Sequence, residues 1–218
     1  MPWFTALVGV LALALTTEIT GYAGSTSHGG TVVAPVVQAR IALILDPRLP
    51  VSVRRPALEE MAAIWAPYGV MIASAETPAP CPLPEELDAV LTVQIEETTA
   101  GSGVWSGPFA SIRFLDGVPE TTIRLHYRNL IRLGLAPLVI DGAHEAQWPP
   151  RLRDLILARM IGRVLAHEIG HWLLRTRGHS ATGLMRAVQG VGELAEPGRT
   201  GFRLDLENVA RLRETIAR

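Results

Sequence analysis

Lysine is missing from this 218-residue sequence: all 20 of its basic residues are arginine. We read that bias as the coding preference of a GC-rich genome rather than as a functional signature. Cysteine is nearly missing too. Cys81 stands alone, which excludes an internal disulfide in any compartment. It lies in PAPCPLP, a proline-dense extended loop in mid-chain, and reads as an unpaired thiol rather than a removable cap on a metal. A dominant charge is lacking as well. The net charge is −1, so no overall field draws the chain to nucleic acid or to an anionic membrane surface. No internal repeat is visible.

Long apolar runs are confined to the N-terminus, where residues 3–15 carry no charge. Thirteen residues are too few to span a bilayer comfortably and suit the apolar region of a signal peptide. Gly21-Tyr22-Ala23 then places small residues at the two positions a signal peptidase inspects. No arginine precedes the run, so the terminal amine alone supplies positive charge there. We expect residues 1–23 to be a signal peptide and 24–38, GSTSHGGTVVAPVVQ, a linker. The protein is then secreted or periplasmic, with no stable membrane association after cleavage.

What the chain does contain is core-forming sequence, 48% hydrophobic and 19% charged, enough for one globular domain over 39–218. RIALILD, 40–46, reads as a buried strand, and Leu58, Met61, Ala62 and Trp65 recur at helical spacing over 56–65. VMIASA, LDAVLTVQI (87–95), ASIRFLDG (110–117) and TTIRLHY (121–127) read as further strands, the last two joined by a turn near Asp116-Gly117. A long, largely buried helix is expected from about 150 to 175, opened by Pro150. On it Leu152, Leu155, Ile156 and Met160 belong to a wide apolar face, and Arg159 and Arg163 mark an outward stripe. LDLENVARLRETIAR closes the chain as a helix with Leu204, Leu206, Val209 and Leu212 inward. This order predicts an α/β fold, a mixed twisted sheet covered by an active-site helix and a C-terminal helix.

The chemistry concentrates in 167–185, HEIGHWLLRTRGHSATGLM. His167 and His171 are four apart on the long helix, which turns the second imidazole by about 40° and lifts it by roughly 6 Å, so both can reach one ion. Glu168 is rotated away from direct ligation but can touch a water on that ion. Zinc brings such a water to a pKa near 7, and a carboxylate can take its proton and pass it to a leaving amine. Gly178 permits a left-handed turn that returns His179 as a third nitrogen. Gly183-Leu184-Met185 then supplies a tight turn with a soft apolar side chain.

These parts resemble the metzincin clan of zinc metallopeptidases, whose pattern is a helical HExxH, a glycine turn, a third histidine and a methionine turn beneath the metal. The tail HS-x-x-G-L-M-R is similar to small secreted bacterial proteins of that type. The resemblance implies a metzincin-like zinc-protease domain with Zn2+ on His167, His171 and His179, Glu168 as catalytic base and then acid, and Met185 as the floor. It also implies a peptide or protein substrate, and an edge strand following the glycine-rich loop 100–110, which contains Trp105. The sequence departs from the clan in its spacing. The clan puts glycine three and histidine six residues after the second histidine, whereas here position 174 is leucine and His179 comes eight after His171. No tyrosine follows Met185.

Other donors stay open on the sequence alone. Glu207 on the last helix, as in gluzincins, and Glu193 in a glycine-rich loop are the alternatives to His179. A zinc-binding protein without activity, and a zinc hydrolase of a non-peptide amide, are the alternative functions. His28, His126 and His144 read as ordinary, and Arg175, Arg177 and Arg186 as solvated surface. Expressed in a bacterium, the chain should leave the cytoplasm with a new N-terminus near residue 24. Intact mass of the exported protein checks this, and a soluble exported product that retains Met1 counts against cleavage.

Overall fold

Residues 38–75, 87–97 and 108–217 are described by a computed structural model, and all belong to the unit Ala34–Arg218. The expected signal peptide, the linker apart from Gln38, Cys81 and Trp105 lie outside the described residues.

The apolar run after Gln38 forms strand β1 (Ala39–Ile44), in which Ile41, Ala42 and Leu43 have no exposure, as a strand covered on both faces requires. It is followed by helix α1 (Val51–Trp65), strand β2 (Val70–Ser74), strand β3 (Ala89–Ile95) and the hairpin of β4 (Ala110–Leu115) and β5 (Val118–Leu125). Asp116 and Gly117 turn that hairpin with φ of 50° and 81°, the left-handed pair that an Asp-Gly turn favours. The sheet order is β2-β1-β3-β5-β4, parallel throughout except for β4, which runs antiparallel to β5 at one edge. The expected mixed α/β sheet covered by helices is therefore present.

The carboxyl ends of β1 and β3 are pinned by Asp46. Its buried carboxylate accepts from the Arg48 amide at 2.9 Å, the Arg48 guanidinium at 2.8 Å and the Ile95 amide at 2.8 Å. The Arg48 guanidinium above all, with the amides, holds this carboxyl down at about 2.

After β5 come a short α2 (Tyr127–Asn129), a π-helical turn (Leu130–Leu135) and a two-stranded ribbon of β6 (Val139–Ile140) and β7 (Ala143–His144). The ribbon was not foreseen. Helix α3 (Pro150–Leu173) is the long helix, packed on α1, β4 and β5. Then follow α4 (Val191–Ala195), also unforeseen, and α5 (Leu206–Ile216), whose cap Asp205 accepts from the Asn208 amide at 2.8 Å.

Four expectations are corrected. Helix α1 begins at Val51, five residues before Pro56, which sits inside it. Burial of Val53, Ala57, Met61 and Trp65 offsets the one backbone hydrogen bond a proline forfeits. Arg163 is not on an outward stripe but has no exposure, because the segment around α4 covers it. Leu155 and Leu206 are exposed rather than inward, at 47% and 89%.

The crossing of α1 and α3 is close enough to need glycine. A Cβ built on Gly162 would lie 2.7 Å from the Ala57 carbonyl oxygen and 2.7 Å from the Glu60 Cβ. Helix propensity alone predicts that Gly162→Ala gains about 1 kcal/mol. Overpacking costs typically 1–3 kcal/mol, so we expect the variant to be destabilised by roughly 1 kcal/mol or more in urea unfolding. A gain in stability would show that the two helices do not meet there.

Candidate metal centre

The last turns of α3 carry His167, Glu168 and His171, and the chain must reverse within a few residues to place anything opposite them. The reversal is made at Arg175, with φ of 50°, directly after the α3 cap Leu174. It is not made at Gly178, the residue expected to do it, which has no positive φ. The Thr176 amide then reaches back to the His171 carbonyl at 3.3 Å, a helix end of the left-handed type. A second turn follows at Gly183, with φ of 75°, where any side chain would strike the Arg203 carbonyl. The Ser180 amide donates to the Met185 carbonyl at 2.8 Å and closes the excursion that carries His179.

These turns orient the helix imidazoles. His167 Nδ1 lies 2.7 Å from the Leu184 carbonyl oxygen, and His171 Nδ1 lies 2.7 Å from that of Thr176. A carbonyl only accepts, so each ring carries its proton on Nδ1 and presents a lone pair on Nε2. The two Nε2 atoms face each other at 3.0 Å. His179 brings its exposed ring to within 5.3 Å and 4.9 Å of theirs, centroid to centroid. One nitrogen from each of the three lies within 4.8 Å of the others, and among the described residues this is the group that could hold a metal ion. Burial, with the neighbouring imidazoles, lowers both helix histidines, His167 to about 4, so both rings are neutral at pH 7. Three imidazoles on the wall of a cleft form a donor set suited to zinc with one position left open.

Beneath the rings, Met185 is buried with its sulfur against Gly170, leaving no room for a Cβ there. The methionine thus lies under the helix turn between the two ligand candidates. Beside the rings, Glu168 is buried, and burial pushes its carboxyl up to about 7, with the Ile112 amide of β4 acting in the opposite direction. A cleft of about 830 Å³ opens over the group. One wall is β4. The other is the stretch from Arg186 to Leu194, including Val188 and Val191, and Val164 of α3 lies at its base.

Among the described residues no strand pairs with the outer edge of β4, which faces this cleft. The His126 amide donates to the Phe109 carbonyl at 2.8 Å, so by antiparallel alternation Ala110 and Ile112 turn their main-chain groups away from β5. The Phe114 carbonyl is also on the open side, where it accepts from the Arg177 guanidinium at 3.1 Å.

The opposite wall is fixed by a buried charge cluster that no local sequence signal announces. Arg163, one turn ahead of His167, donates to Glu60 Oε1 at 2.9 Å and to the carbonyls of Glu193 and Gly198. Glu60 also accepts from Arg199 at 2.7 Å. Its partners lie 103 and 139 residues away, beyond the reach of any spacing rule.

The rival third donors are placed elsewhere. Glu193 is bonded to Arg186 and to the Gly190 amide, and the Glu207 side chain is 85% exposed on α5. Arg177 and Arg186, read from sequence as solvated surface, both line the cleft. Removing a metal ligand should weaken affinity beyond the 10–100-fold typical of outer-shell changes. We therefore expect His179→Ala to lower zinc affinity by more than about 100-fold in a chelator competition, and Glu207→Ala to leave it within a few-fold. The reverse ranking in folded variants would move the third donor to α5.

Among solved structures the chain is similar to the crystal structure of archaemetzincin from Methanopyrus kandleri, at 16% identity, over 85% of this chain and 100% of that one, with a TM-score of 0.48. No protein-family model matches the sequence, and no curated protein matches it.

Proposed function

We propose that this chain is a metzincin-like zinc metallopeptidase, exported to the periplasm or beyond, that cleaves peptide bonds with Glu168 as its proton carrier. The observation that carries this reading is the pair of Nε2 lone pairs held face to face at 3.0 Å by backbone carbonyls, with a third imidazole beside them. Two lone pairs at that distance repel unless a cation is shared between them. His167, His171 and His179 would hold the zinc, which would supply Lewis acidity toward a scissile carbonyl and a water.

The chain's own groups do the rest. Glu168 lies one residue from His167 with its carboxyl in the cleft, placed to take a proton on one oxygen and return it to the amine of the departing strand. Metal binding alone gives no reason for a buried carboxyl there, which favours an enzyme over a binding protein. The outer edge of β4, unpaired among the described residues, turns the main-chain groups of Ala110, Ile112 and Phe114 toward an extended peptide, which would take the Phe114 carbonyl from Arg177 in the geometry of strand addition. Met185 keeps the helix turn beneath the rings dry and fixed. Export is supported by the uncharged run 3–15, and no described helix is long and apolar enough to cross a membrane.

Incubation of the mature chain with a mixed peptide library should give cleavage that a chelator abolishes and added zinc restores. Glu168→Gln should keep stoichiometric zinc while losing at least about 10²-fold in rate, the scale of general acid–base catalysis. Zinc binding without any cleavage by the parent chain would leave a metal-binding protein instead.

A further inference from the structure

The cleft is locally basic in a chain whose net charge is only −1. Arg113, Arg177 and Arg186 line it, against one acid, the buried Glu168. Arg186 is already bonded to Glu193. Arg113 and Arg177 pair with no carboxylate among the described residues. Basic walls on a concave site focus potential on whatever enters it, so the cleft favours anionic over cationic ligands.

Arg177 is the best placed of the three. It lies in the loop between His171 and His179 and lines the same cleft as the three rings. It rests over the Phe114 ring, 5.1 Å from the ring centroid. Its NH2 donates to the Phe114 carbonyl at 3.1 Å, at the open edge of β4. That carbonyl is one of the groups a peptide adding to β4 would use. When a peptide amide takes it, one guanidinium N–H is released, while stacking on Phe114 keeps the cation at the spot. The released fork then faces the peptide, and a carboxylate accepts from it in the bidentate geometry that arginine favours.

We propose that the cleft selects peptides with a glutamate or aspartate near the bond that is cut, and that Arg177 receives its carboxylate. This rests on the peptidase reading above. The field of Arg113 adds to the attraction without a bond of its own.

The test uses peptides that differ only by Glu against Gln, scanned through the positions around a cleavage site. At one position the parent should prefer Glu by about tenfold in kcat/KM, the scale of one hydrogen bond to a charged group. That ratio should fall as salt is raised, shrink in Arg177→Lys, which keeps the charge but not the fork, and invert in Arg177→Glu. Anisotropy of the same labelled peptides on the zinc-loaded Glu168→Gln chain should show the same order of binding without turnover. Cleavage with no acidic preference, or a preference unchanged in Arg177→Glu, overturns the acidic subsite and leaves the peptidase standing. If no peptide is bound or cleaved, both readings fall.

Discussion

Two imidazoles on one buried helix turn need acceptors for their Nδ1 protons, and the helix that carries them cannot provide any. Its last-turn carbonyls are taken by the amides that follow, Gly170 by Leu174, His171 by Thr176 and Trp172 by Arg175. The acceptors come from the two turns that follow, Thr176 for His171 and Leu184 for His167. That requirement dictates much of what lies C-terminal to α3. The chain must reverse at once, which forces Arg175 into a left-handed conformation. It must then return beneath the helix, which puts Met185 against Gly170 and Gly183 against the Arg203 carbonyl. Gly183 is the position where a side chain is excluded by both φ and space.

The return segment is in turn held by elements far away in sequence. The Leu184 amide donates to Arg203, the Leu204 amide donates to the Tyr68 hydroxyl, and Asn208 of α5 donates to Ser180. A second set of bonds fixes the cleft wall through Arg163, Glu60 and Arg199. Burying an arginine carries a desolvation cost, and here each side of Arg163 meets an acceptor, a carboxylate on α1 or a main-chain carbonyl of the wall. Burial accordingly lowers the Arg163 pKa, with Glu60 acting against it. The turn of α3 that begins at Arg163 and ends at His167 therefore positions the wall and the first imidazole together.

The site residues were legible because helical spacing is a local property. His167 and His171 at i and i+4 share a face whatever surrounds them. The strands were legible through β-branched runs, and the β4–β5 turn through Asp116-Gly117. The reversal after α3 was misplaced, because glycine is the usual residue for a left-handed turn while the need for a prompt acceptor to His171 is tertiary. Arg163 was misread for a related reason. A guanidinium in an apolar helix looks solvated until Glu60 and the 193–198 carbonyls are brought to it. The wall and its basic partners were illegible in the same way, since Arg177 and Arg186 gain meaning only opposite β4.

The site thus draws on one helix and one loop. His167, Glu168 and His171 are set by a buried helix whose neighbours leave no slack, while His179 is exposed on a loop closed by the Ser180 and Met185 contact. The loop also carries Arg177, whose contacts with Phe114 tie it to the edge of β4. The three-histidine group and the outer edge of β4 are thereby joined by the loop that places His179 eight residues after His171.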